Sequence, residues 1–226
     1  MFTSLNTLVA LLFMLFSGAP DAPKPNKGIT TIPDADTIKL LAPRKSFGKN
    51  IMSAFWERRA EMDKDVRSEP IRLQELSELM WVAYGINRDN GHLVVPTQQN
   101  AQNGDVFAIL PTGAYHYDRQ KHELHRVNKA DLRSQVAWKQ TAAAGAPMMI
   151  VIVMHPETLK VGDDETRKRI CYAEGGIVSQ NISIYCSGAG LRDRPRATMD
   201  REALRTSLKL DDKAYLVLNH LIAYSN

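Results

Sequence analysis

The chain has 226 residues, 29 Lys and Arg against 25 Asp and Glu, and a 44% hydrophobic fraction. That length holds one domain or two small ones. The composition excludes a wholly disordered chain, two cysteines exclude a disulfide scaffold, and no internal apolar run reaches the ~18 residues of a membrane helix. The mild net charge of +4 is spread along the chain. Only Arg192-Asp193-Arg194-Pro195-Arg196 is locally dense, which argues for a solvated basic surface and against nucleic-acid binding.

The first segment is Leu8 to Phe16, an apolar run of about nine residues, followed by Ser17, Gly18 and Ala19. It is too short to span a bilayer and resembles the core and cleavage region of a secretory signal peptide over residues 1–22. An uncleaved anchor and a buried first helix are the alternatives. Export to the periplasm or another extracytoplasmic compartment follows from the first reading, a cytoplasmic location from the last. Four prolines between Pro20 and Pro33 make residues 23–35 a linker, with one domain over 36–226.

Within that domain a helix is expected to end at Phe55-Trp56-Glu57-Arg58-Arg59. Leu73 to Ala83 has helical apolar spacing, with Gly85 as a left-handed stop. Val106 to Leu110, a turn at Pro111-Thr112-Gly113 and Ala114 to Tyr117 read as a hairpin. His122 to His125 reads as a loop, with too few ligands for zinc. Ala130 to Ala143 is helical in composition, and Met148 to Met154 reads as a central strand. Thr166 to Gly188 is a long helix. Asp200 caps a helix over Arg201 to Lys209, and Tyr215 to Ile222 is the last strand. Cys171 and Cys186 lie in one expected helix, roughly 22 Å apart at 1.5 Å per residue, and read as unbridged core thiols. Mixed helices and hairpin strands imply an α+β layer fold.

Four segments, in order, resemble those of the nitroreductase family of flavin-dependent oxidoreductases. Phe55-Trp56-Glu57-Arg58-Arg59-Ala60 is similar to its Arg-Arg-Ser opening. Leu76 to Arg88 resembles a Leu-Ser-x-Leu-Leu-Trp-Ala-Ala-x-Gly-Ile-Asn-Arg helix of one branch. Pro96-Thr97-Gln98-Gln99-Asn100 is similar to the Pro-Ser-x-x-Asn loop, and Gly175 to Leu191 to the long central helix ending in Gly-Leu. The resemblance implies a three-layer fold with a mainly antiparallel central sheet, an FMN cofactor, a homodimer with flavin at the interface, and NAD(P)H or another donor reducing a small acceptor such as a nitroaromatic or quinone. It assigns Arg58, Arg59 and Ala60 to the phosphate and ribityl chain, and Pro96, Thr97, Gln98 and Asn100 to the ring. Arg194, Pro195 and Arg196 then lie towards N5. The flavin carries the redox chemistry, so no side-chain nucleophile is expected.

Paired arginines suit a phosphate dianion, and Asn100 offers both a donor and an acceptor to a pyrimidine edge. The plainer alternatives are exposed helix-end arginines, a turn asparagine and a surface loop. The sequence departs from the family with Ala60, Met62, Ala223 and no cations after Tyr224. A non-catalytic or altered-ligand binding protein on the same fold is therefore the competing reading. Small and apolar residues on many sides of the long helix, among them Gly175, Gly176 and Ile177, suit either close approach of a second copy or a central helix in a monomeric core.

Overall fold

The computed structural model describes residues 31–60 and 68–224. The proposed leader, most of the linker, and Met62 lie outside the described residues. Seven strands form one sheet: β1 (Thr37–Lys39), β2 (Gly104–Leu110), β3 (Gly113–Asp118), β4 (Glu123–Asn128), β5 (Met148–Met154), β6 (Leu191–Arg196) and β7 (Tyr215–Tyr224). Their order is β1-β4-β3-β2-β5-β7-β6, and every neighbouring pair is antiparallel. Five helices cover it: α1 (Ile51–Glu57), α2 (Leu73–Tyr84), α3 (Arg133–Ala137), α4 (Asp164–Ala189) and α5 (Arg201–Ser207).

Strand alternation divides the core in two. Val106, Ala108, Ile150 and Ile152 point to the face where α2 and α4 supply Leu76, Met80, Val178 and Ile182. Phe107, Ile109, Val151 and Val153 point to the opposite face, against Val136 of α3 and Leu204 of α5. All seven residues of β5 are buried because both faces of this central strand are covered. The fold is therefore the expected three-layer α+β arrangement.

The longest elements match the expectations, and the shorter ones differ for identifiable reasons. Gly85 is not left-handed: it ends α2 in extended backbone, φ −79° and ψ 160°. Glycine is required there by crowding, since a Cβ would lie 2.4 Å from Trp81 Cδ1. The left-handed cap instead closes α4, at Gly190 with φ 71°. The expected helix at 130–143 is only Arg133–Ala137, followed by a separate turn at Thr141–Gly145. Arg196 donates to the carbonyls of Val136 and Ala137, taking up the acceptors that a continuing helix would use. His122 to His125 is not a loop. His122 sits in the turn, and His125 belongs to β4. Cys171 and Cys186 are buried, unbridged core residues as expected. Asp200 caps α5 by accepting from the Ala203 amide at 3.1 Å.

A buried polar network positions the chain before α1. Glu78 of α2 is 1% exposed. It accepts Arg44 Nε at 2.7 Å, Arg44 Nη2 at 2.8 Å and the Tyr185 hydroxyl of α4 at 2.7 Å. The Leu41 amide donates to Ser77 Oγ at 2.9 Å. These bonds fix residues 41–47 across α2 and α4, and so set where α1 begins. Burial opposes ionisation of Glu78, but the Arg44 and Tyr185 bonds outweigh it and hold the carboxyl below its ordinary range.

Glu78→Ala leaves the Tyr185 hydroxyl and the Arg44 amide without their acceptor and should cost about 2–4 kcal/mol, read by urea unfolding at pH 7. The folded pKa is below the unfolded one, so this stabilisation is complete above the ordinary carboxyl value of 4.5 and is lost as pH falls through the folded value. The gap between wild type and variant should therefore narrow in unfolding series carried below pH 4.5.

Candidate cofactor site

At the C-terminal end of α4 lies a cleft of about 270 Å³ lined by Lys49, Trp56, Arg58, Arg59, Ser183, Ser187 and Asp193, among others. That is just under the ~300–1,000 Å³ of ordinary small-molecule pockets. Three elements converge to build it. α1 ends when Arg58 turns extended, φ −60° and ψ 123°, with its amide still donating to Ala54 O. The chain then runs past β6, where Ala60 makes a parallel bridge with Asp193. The segment before α1 meets the end of α4: the Lys49 amide donates to Gly188 O at 3.0 Å. That approach requires Gly48, which has φ 66° and whose Cβ would lie 2.4 Å from Gly188 O. Ser187 Oγ donates to Ala54 O at 2.7 Å and locks α1 onto α4.

The cleft wall carries three cations, Lys49, Arg58 and Arg59, and two carboxylates, Glu57 and Asp193. Lys49 pairs with Glu57. Asp193 is held by a buried chain of hydrogen bonds. Ser183 donates to its Oδ2, and its Oδ1 lies 2.7 Å from His220 Nδ1. His220 Nε2 lies 2.8 Å from Ser179 Oγ. With Nδ1 protonated towards Asp193, Nε2 accepts from Ser179, so α4, β6 and β7 are joined by four side chains that are at most 7% exposed. The cation-rich wall suits an anion, and the hydroxyls with Asp193 suit a polyol.

The loop Pro96-Thr97-Gln98-Gln99-Asn100 lies elsewhere on the same protomer. It is attached to α4 at Glu174, whose Oε1 accepts the Gln98 amide at 2.5 Å. Nine residues separate Glu174 from Ser183, and thirteen separate it from Ser187. Along a helix that is about 14–20 Å. Gln99, Asn100 and Gln102 have φ of 50°, 56° and 49°, each disfavoured for a residue with a side chain and costing roughly 1–2 kcal/mol, less for asparagine. Thr97 Oγ1 accepts the Gln102 amide at 3.1 Å and closes the loop. Asn100 is exposed.

Arg194, Pro195 and Arg196 lie on β6, an edge strand, and not on a surface loop. Pro195 is tolerated at an edge, where one side of the strand has no ladder to complete. Arg196 is 6% exposed. Its guanidinium donates to Gln140 Oε1, Asn219 Oδ1 and the carbonyls of Val136 and Ala137. Those bonds hold α3 against β6 and β7, which makes Arg196 part of the framework beneath any ligand. Sequence reasoning found Arg58 and Arg59 but missed Lys49, Ser183, Asp193 and His220. No local pattern marks those four, because they come from four separate segments: the chain before α1, α4, β6 and β7.

The sequence model of the nitroreductase family matches residues 57–224. A protein of Methanocaldococcus jannaschii, provisionally named as a nitroreductase, is 24% identical over 200 residues, spanning 83% of this chain and 92% of that protein. A provisionally named nitroreductase of Ralstonia eutropha JMP134 has a crystal structure that is 27% identical. It covers 87% of this chain and 93% of its own, with a TM-score of 0.78. A Staphylococcus epidermidis structure, provisionally named an NAD(P)H:FMN oxidoreductase, shares the fold at 12% identity and a TM-score of 0.59, covering 81% of this chain and 91% of its own. The chain belongs to the nitroreductase family and is a nitroreductase-type oxidoreductase.

Proposed function

We propose that the protein is an FMN-dependent oxidoreductase working as a homodimer, taking reducing equivalents from NAD(P)H or another donor and passing them to a small acceptor such as a nitroaromatic or quinone. The observation that carries this reading is the cleft where Arg58 and Arg59 sit beside Ser183, Ser187 and Asp193. Its donor set fits the phosphate and polyol parts of FMN. Arg58, Arg59 and Lys49 would bind the phosphate, and the serine hydroxyls and Asp193 the ribityl chain. The bound flavin supplies hydride acceptance and donation, so the protein's part is to bind, orient and shield it.

The ring would have to meet Asn100, whose loop this protomer ties to α4 at Glu174, about 14–20 Å along the helix from Ser183 and Ser187. The reading therefore calls for a second copy, which would bring its own Pro96–Asn100 loop to this cleft. Exposed apolar residues also favour a partner: on α1, Ile51 is 59% exposed, Phe55 52% and Trp56 85%, and on α4 Ile177 is 38% exposed. Large exposed apolar residues grouped on one short helix, as on α1, mark an interaction face. Of the described residues, no helix is long and apolar enough to cross a membrane. The Leu8–Phe16 segment supports export, which the mature N-terminus of secreted material would test: a start between Pro20 and Lys27 agrees, and retention of Met1 in the cytoplasm does not.

Replacing both Arg58 and Arg59 with Ala removes two charge-assisted bonds of about 1.5–3 kcal/mol each. FMN should then bind on the order of 10²–10⁴-fold more weakly in a fluorescence titration. Unchanged retention would place the phosphate elsewhere, and a colourless wild type with no FMN uptake would leave only the altered-ligand reading. The dimer has its own test. A Cβ at Gly176 meets nothing within 4 Å in the protomer, so Gly176→Leu should leave the monomer fold intact. It should nevertheless split the dimer in light scattering and release flavin at the same time, since a two-fold interface feels the added side chain twice.

A further inference from the structure

Glu174 is 7% exposed on α4, and among the described residues no cation lies within ion-pair distance. Burying a carboxylate without a countercharge is unfavourable unless its hydrogen bonds compensate. One oxygen accepts the Gln98 amide, while Oε2 has no hydrogen-bond partner among the described residues. The side chain is therefore a costly group whose one protein hydrogen bond is to the backbone of a loop. That loop holds three of the six non-glycine residues with positive φ among the described residues, Gln99, Asn100 and Gln102, within four positions. Strain of this kind persists only where the surroundings over-determine it. The surroundings here are Thr97 Oγ1 on the Gln102 amide, Gln102 Nε2 on Gly91 O at 2.9 Å and Asn100 Oδ1 at 3.3 Å, Arg119 Nε on Gln102 Oε1 at 3.3 Å, the loop's own backbone turns, and Glu174. Glu174 ties the middle of the loop to the central helix. One turn earlier on α4, Cys171 accepts from Asn103 Nδ2 at 3.7 Å and holds the loop's far end.

We propose that Glu174 is the positioning residue of the Pro96–Asn103 loop, holding Asn100 in the left-handed conformation from which it can meet the flavin. The proposal rests on the FMN reading above for its ligand, and on the protein alone for the anchor. The helix that carries the apolar interface face thus also carries the tether of the loop. Displacement of α4 at Glu174 is then passed to the Gln98–Asn100 turn through the Gln98 amide.

The test compares wild type with Glu174→Ala, Glu174→Gln and Gln98→Pro in the full-length protein. Two quantities are read: hydrogen exchange of the Ala101 and Gln102 amides without ligand, and FMN affinity by fluorescence titration. Glu174→Gln keeps an acceptor oxygen and should match wild type in both. Glu174→Ala should speed exchange and weaken FMN by about 10-fold, the effect of one lost hydrogen bond. Gln98→Pro removes the donated N–H from the other side and should do the same. Thr97, at φ −132° and ψ 152°, already has the extended backbone that a following proline demands. The double variant should be no worse than either single one, since both delete the same bond. Normal exchange in Glu174→Ala and Gln98→Pro would overturn the anchor, as would a Glu174→Gln protein as impaired as Glu174→Ala. Faster exchange in a protein whose wild type takes up no FMN would sink the flavin reading and uphold the anchor.

Discussion

The close approach of α4 to the sheet at Gly175 sets the rest of the structure. A Cβ at that position would lie 2.9 Å from Val217 Cγ1. With glycine there, the helix packs down on β7, and short side chains can reach across to the strands. Ser179 and Ser183 therefore meet His220 and Asp193 directly. Raised by one methyl group's thickness, the same helix would take the serine partners away from Asp193 Oδ2 and His220 Nε2, a penalty of the order of 1–3 kcal/mol for each buried atom. The polar chain at the cleft wall is a consequence of how tightly the apolar layer packs.

From that contact, the site is assembled outward by hydrogen bonds to backbone. Ser187 holds α1 through Ala54 O, and Gly188 O takes the Lys49 amide. Both bring the end of α1, and with it Arg58 and Arg59, over the C-terminal end of α4. On the other side of the sheet Arg196 does comparable work, tying the carbonyls of α3 to the edge strand. A residue that sequence resemblance assigns to the ligand here stiffens the floor under it. An edge strand with an Arg-Asp-Arg-Pro-Arg core is also protected from pairing with another sheet, because charge and proline both discourage added strands.

The two halves of the proposed flavin site have opposite characters. The cleft is cationic and built on helix ends and a strand. The loop of Asn100 is neutral and strained, and is moored to α4 at Glu174 and Cys171. A single helix supports both, with about 14–20 Å of helix between Glu174 and the cleft serines, and exposes Ile177 in that stretch. In the homodimer proposed above, binding and assembly would be parts of one equilibrium: a ligand bridging the halves would stabilise the dimer by mass action, and loss of the dimer would lower apparent affinity.

The elements legible in the sequence are those whose periodicity comes from burial: the β5 run Met148 to Met154, the α2 spacing Leu73 to Ala83 and the long α4. Each has enough residues facing one environment for the pattern to stand out. The Arg58-Arg59 pair and the Pro96 to Asn100 loop were legible as ordered motifs. Other features were set by tertiary contacts. β4 and β6 carry His, Arg and Asp where an isolated strand would show apolar alternation, and they are strands because a neighbour offers a ladder. α3 stops at Ala137 because Arg196, some sixty residues away, takes its carbonyls. Gly85 is extended because Trp81 folds back on it. Lys49, Ser183, Asp193 and His220 carry no local signature, since their chemistry depends on distances between elements. By itself, then, the chain's apolar periodicity determined the layers and the order of the motifs. The packing of α4 on the sheet decided which polar residues meet, because hydrogen bonds of 2.7–3.0 Å tolerate far less displacement than the hydrophobic pattern does.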